Sequence, residues 1–150
     1  STGSGAITPW NGATNQPANS WNSGTEANPV KTSNDPCPAG WRVPSRPEKD
    51  ALVAATTTSN IGNWNNSATN FSAAKVFRSR RNANVQLTFP INGSRYFEAG
   101  TLWERGLTGF YWWSHKLSAT AAERWRLRQN EIEDGTNTTD WGSGIRCILD

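Results

Sequence analysis

The sequence predicts an α+β domain, and three observations predict it. A helix start with its capping residues occurs at Ser45, several short stretches alternate apolar and polar residues with the period of a strand, and the connecting segments are too long for a compact sandwich. Those segments are rich in Gly, Ser, Thr and Asn, which favour turns and loops.

The elements follow in chain order. Residues 1–34 carry few apolar side chains beyond Ile7, Trp10, Trp21 and Val30, and read as an extended N-terminal arm pinned by its tryptophans. The opening Ser1–Gly5 is linker-like, and the domain proper spans 35–150. Ser45 with Glu48 three residues on forms a capping box, and Pro47 is tolerated in a first turn. A helix therefore runs to about Ala55, with Ala51, Leu52, Val53 and Ala55 as its apolar face. Thr56 to Asn70 reads as loop anchored by Trp64 and Phe71; Phe71 to Phe77 fits helix or strand, and Arg78–Arg81 reads as an exposed turn. Val85 to Phe89 alternates and stops at Pro90, as a strand does. Gly93, Gly100, Gly106 and Gly109 punctuate a loop-rich stretch before an aromatic strand, Phe110 to Ser114, with Trp112 inward and Trp113 outward. Glu123 to Gln129 alternates again, placing Trp125 and Leu127 on one face and Arg124, Arg126 and Arg128 on the other. Asn130 to Gly144 reads as polar loop and Ile145 to Leu149 as a closing strand.

Composition narrows the class. Hydrophobic residues make up 35% of the chain and nine of its residues are tryptophan, so the core is built from a few large aromatics. A net charge of +3 without a clustered basic run argues against a nucleic-acid partner. No apolar run reaches membrane-spanning length, and the chain is expected to be a monomer of one domain with its arm. Two cysteines, no methionine and abundant polar residues suit an exported, extracellular or cell-surface protein. Cys37 and Cys147 bracket the domain. If they pair, a closed loop of about 110 residues gains up to about 4–5 kcal/mol; the other reading is two free buried thiols.

Catalytic chemistry is sparse. The single histidine, His115, has no metal-ligand spacing of His and Cys around it and reads as a surface contact or hydrogen-bonded structural group. Glu131, Glu133, Asp134 and Asp140 read as solvated loop charges rather than a cation cage. The expectation is a non-enzyme with neither metal nor cofactor. A recognition surface remains, because Trp and Arg combine large contact area with planar hydrogen bonding. Trp103, Trp113 and Trp141 flank a segment holding Arg124, Arg126, Arg128, Asn130, Glu131 and Asn137. Glu104, Leu107, His115, Lys116 and Asp140 complete the expected ligand contacts.

Asp35-Pro36-Cys37-Pro38-Ala39-Gly40-Trp41-Arg42-Val43-Pro44-Ser45, Gly100-Thr101-Leu102, Arg105-Gly106, Gly109-Phe110-Tyr111-Trp112 and Gly144-Ile145-Arg146-Cys147-Ile148 resemble the Fibrobacter succinogenes major paralogous domain, from about Thr25 to Asp150. That family is common on surface proteins of Bacteroides-like gut bacteria. The resemblance implies a C-type-lectin-like fold: a small twisted antiparallel sheet with one or two helices, long loops and adjacent chain ends. The same fold carries formylglycine-generating enzymes, whose reactive cysteines have no counterpart here because both cysteines lie in the bracketing motifs. It also carries the variable proteins of diversity-generating retroelements, whose surface positions near the C-terminus are randomised. Against that group's usual pattern, Trp113 stands in place of serine, Arg126 and Arg128 in place of asparagines, and Gln129 in place of an apolar residue. The Glu-Pro-Asn, Gln-Pro-Asp and Trp-Asn-Asp triplets of calcium-dependent lectins do not occur. The resemblance thus implies a binding module for a protein or surface-glycan ligand. The alternatives are a calcium-independent lectin of fixed specificity, an enzyme derived from the formylglycine-generating relatives, for which no paired acid and base groups are found, and a structural domain of a fimbrial or adhesin assembly.

Overall fold

The computed structural model describes residues 21–150; Ile7, Trp10 and the Ser1–Gly5 run lie outside the described residues. The elements are β1 (Trp41–Arg42), α1 (Arg46–Ala55), β2 (Thr56–Ile61), β3 (Ala74–Ser79), β4 (Gln86–Pro90), β5 (Ser94–Arg95), β6 (Leu102–Trp103), β7 (Gly109–Lys116), β8 (Ala121–Leu127), β9 (Ile132–Thr138) and β10 (Ile148–Leu149). Among the described residues, one helix with several antiparallel sheets makes this a mixed α+β domain.

The opening motif shows why its residues stand where they do. Asp35 is buried, and its carboxylate accepts from the Lys31 ammonium at 2.8 Å, the Cys37 amide at 2.8 Å and the Val43 amide at 2.9 Å. Arg42, on β1, donates to Glu48 through its two terminal guanidinium nitrogens and to Asp150 through Nε at 2.9 Å, while β1 pairs antiparallel with β10. Cys37 is bonded to Cys147, so the free-thiol reading is set aside. The Ser45 amide donates to Glu48 at 2.9 Å, which starts α1. The Arg42 guanidinium, helped by this amide, holds the Glu48 carboxyl below its ordinary value against the opposing effect of burial.

The core lies between the β2–β3–β4 sheet and the β7–β8–β9 sheet. Phe77, Phe89, Tyr111, Trp113, Trp125 and Leu127 are its large buried members. The Trp125 ring lies 5.0 Å from Phe77 and 5.3 Å from both Phe89 and Trp113, distances typical of favourable aromatic pairs. Helix α1 adds only Leu52 and Val53 to this core; Ala51 and Ala55 of the expected apolar face are exposed. Its charged side is tied down by Lys49 to Asp134 at 2.8 Å and Arg46 to Glu123 at 3.1 Å.

Several sequence expectations are corrected. Thr56–Ile61, read as loop, is strand β2; it is mostly exposed and exists through its ladder to β3 rather than through burial. The strand of the Asn130–Gly144 region, β9, likewise pairs along its whole length with β8. Arg78 belongs to β3, so the turn falls later, with the Val85 amide donating to Asn82. Phe71 is 66% exposed and anchors nothing in the core, although Arg105 lies over its ring. From Trp21 to Asn34 the chain is not extended: Asn22 bridges Lys31, and the Ser23 amide donates to Val30. Gly62 (φ +73°) turns the chain out of β2, and a Cβ there would meet the Ser72 carbonyl.

Candidate functional site

Two turns form the site. The first runs from Glu104 to Thr108, where the Leu107 and Thr108 amides both donate to the Glu104 carbonyl. Among the described residues Glu104 is the non-glycine with positive φ (54°), a conformation that costs free energy and is held by its surroundings. The second turn is closed by the Arg128 amide donating to Glu131 at 2.9 Å. It is pinned from the neighbouring sheet, since Lys75 and Asn60 both donate to the Gln129 carbonyl, at 3.1 and 2.7 Å. Lys75 is 4% exposed, and burial lowers its pKa.

Between the turns lies an open groove of about 380 Å³ lined by Glu104, Leu107, Thr108, Arg128, Asn130 and Glu131, with Gln129. Thr108 is fully buried and its hydroxyl lacks a partner. Leu107 is 41% exposed, so the groove offers an apolar contact between groups of both charges. Arg128 pairs with Glu131 at 3.4 Å and Glu133 at 3.2 Å, and Arg126 with Glu133 at 3.2 Å. Such half-exposed pairs contribute little to stability and rearrange readily for a ligand.

Beside Glu104 in the chain, Trp103 is 47% exposed and stacks on Tyr96 at 6.0 Å, while Trp141 packs edge-on against both rings. The comparisons with known proteins add no relative. No protein-family model, no curated protein and no solved structure matches this chain.

The expected contacts therefore divide. Glu104, Leu107, Arg128, Asn130 and Glu131 come together in the groove. His115, Lys116 and Asn137 stand at the other end of the sheet, since Lys116 pairs with Ala122 and Ala122 with Asn137, whereas Gly109, Leu127 and Ile132 align at the groove end. Lys116 donates to the Ala119 carbonyl, and burial lowers its pKa. Asp140 accepts from the Thr138 hydroxyl. Arg126 is half-buried and lies across Gly135, where a Cβ would press on its guanidinium.

Two expectations fail. Trp113 is 3% exposed and belongs to the core, because its phase of β7, shared with Tyr111, faces the β3–β4 sheet. Trp112, on the opposite phase, is also buried, since residues near Trp141 and Ser94 cover that face. Arg124 is correspondingly enclosed rather than solvent-facing. Its guanidinium lies 4.1 Å from the Phe110 ring, 5.3 Å from Trp141 and 5.9 Å from Trp112, and bonds the Ser94 hydroxyl. Burial pushes its pKa down to about 10; Arg126 adds repulsion and Glu104 opposes the shift. It supports the aromatic cluster from beneath.

Glu133 and Asp134 diverge to opposite faces of β9, towards Arg126 and Lys49 respectively, so the four carboxylates do not form one cage. Sequence reasoning missed Lys75, Asn60 and Thr108. The first two act across 54 and 69 residues of chain, and no local pattern signals such contacts.

Proposed function

We propose that this chain is a secreted or surface-displayed ligand-binding module of C-type-lectin-like fold, related to the Fibrobacter succinogenes major paralogous domain, with a retroelement-diversified surface. The observation that carries the reading is the groove between the Glu104–Thr108 and Arg128–Glu131 turns. It presents acidic, basic, amide and apolar groups on loops pinned to a disulfide-closed sheet scaffold. A rigid frame lowers the ordering cost of binding and lets loop side chains change without unfolding the domain. Arg128 and Gln129, two of the positions that depart from the family pattern, both line this groove. The disulfide accords with an oxidising compartment, and no helix among the described residues is long and apolar enough to cross a membrane.

Its mechanism is complementarity, with Arg128 and Asn130 reading polar ligand groups and Leu107 excluding water. Within this reading, the exposed Trp103 face favours a glycan ligand, because an aromatic face stacks on a pyranose ring. A glycan array followed by Asn130→Ala, Arg128→Ala and Trp103→Ala tests it. We expect a calcium-independent hit whose affinity falls at least tenfold in each variant. A hit that all three variants retain unchanged refutes the groove as the site.

A further inference from the structure

His115 has company that its sequence neighbourhood does not show. One ring nitrogen of His115 and one carboxylate oxygen from each of Glu26 and Glu123 lie within 4.8 Å of one another. The residues come from the Asn22–Lys31 turn, from β7 and from β8. We propose that they form a binding site for a divalent transition-metal ion of the zinc type.

Three observations carry the proposal. His115 Nδ1 and Glu26 Oε1 are already 2.7 Å apart, with both side chains about one-third exposed and therefore free to adjust. Glu123 is 8% exposed; its Oε1 accepts from Arg46 at 3.1 Å, while its Oε2 is enclosed and has no partner. An enclosed carboxylate oxygen without a donor is costly unless a proton or cation satisfies it. Arg46 pairs with Glu123 through Oε1 at 3.1 Å and turns its second nitrogen to Asp134 at 3.6 Å, so Oε2 is left without a donor.

The donor set selects the metal. An imidazole nitrogen with two carboxylates suits zinc and its neighbours, whereas calcium and magnesium prefer all-oxygen shells. Bonds of about 2.0–2.2 Å in tetrahedral geometry place donor atoms roughly 3.3–3.6 Å apart. Reaching this spacing opens the 2.7 Å His115–Glu26 contact by about 0.6–0.9 Å and closes the other distances, none above 4.8 Å, by up to about 1.5 Å. Three protein ligands leave a fourth position for water or for a ligand group. Occupied, the site would clamp the Asn22–Lys31 turn onto the β7–β8 hairpin, at the opposite end of β8 from the groove.

The test uses the untagged, chelator-treated chain and Zn2+ alone. Calorimetric titration should give one ion per chain, and saturating Zn2+ should raise the thermal midpoint by mass action. His115→Ala and Glu123→Gln should each weaken binding at least tenfold and reduce the rise measured at the same Zn2+ concentration. Co2+ in the same site should give the visible bands of a four-coordinate ion. Glu26→Gln, on a surface turn, replaces Glu123→Gln if the buried substitution prevents folding, and should show the same tenfold loss. Absence of saturable 1:1 binding, or parental affinity in His115→Ala, overturns the proposal. Ligand binding in the groove is read separately, so its failure leaves this result unaffected.

Discussion

Replacing Cys37 and Cys147 together by alanine removes the only covalent tie across 110 residues of chain. On the chain-entropy relation a closed loop of that length restricts the unfolded ensemble by about 16 cal/mol/K, or about 4.8 kcal/mol at 25 °C. The folded ends have other attachments: β1 still pairs with β10, and Arg42 still holds Glu48 and Asp150. The native structure should therefore persist, and the loss should arise mainly from the greater freedom of the unfolded chain. That loss is a large share of the roughly 5–15 kcal/mol available to a domain. Urea denaturation of both forms, monitored by tryptophan fluorescence, should show a midpoint well below the parent's and a steeper dependence on denaturant, because the unlinked unfolded chain exposes more surface. The thermal midpoint should drop by roughly 10–15 °C. A loss below about 1 kcal/mol with native near-ultraviolet dichroism would refute the reasoning. It would mean that the bridge does not restrict the unfolded chain in the way the loop length requires.

Trp113→Ala should cost about 3–5 kcal/mol in urea denaturation, since it empties a site packed against Trp125; a cost below about 1 kcal/mol would return Trp113 to the surface. Glu48→Gln should cost about 1 kcal/mol at pH 7, from the loss of its Arg42 pair and of the charged partner for the Ser45 amide. The folded Glu48 carboxyl titrates below its ordinary value, so its contribution is complete above the unfolded value of about 4.3 and disappears as pH falls through the folded value. Parent and variant stability curves should converge as pH falls below the unfolded carboxylate value and through the lower folded one; a gap that stays constant with pH would contradict this assignment.

Much of the fold was legible because its signals are local. The Ser45–Glu48 box is complete within four residues, β4 and β8 carry enough alternation to show their period, and β7 is marked by its run of aromatic residues. β2 and β9 escaped notice for a common reason. β2 has only Thr56 buried, β9 has no fully buried residue and contains Gly135, and each is a strand because a neighbouring ladder fills its backbone hydrogen bonds. Alternation reveals buried faces; it does not reveal an edge strand whose side chains stay largely in water. Within the site, the segments around Glu104 and Arg128 could be picked out by residue type. The groove itself could not, because Lys75 and Asn60 position its second turn from another sheet.

The sequence by itself determined the α+β class, the start and length of α1, the aromatic make-up of the core and the two bracketing motifs with their cysteines. These depend on capping, period and composition, which act over a few residues. Only the tertiary structure decided that Trp112 and Trp113 are both buried, that Arg124 lies beneath aromatic rings, and that Glu26 and Glu123 meet His115. A strand's period separates its two faces but cannot say what covers each one. On β7 and β8 both faces are covered, one by the β3–β4 sheet and the other by the Ser94 and Trp141 segments. Exposure here is a property of the packed layers rather than of the strand.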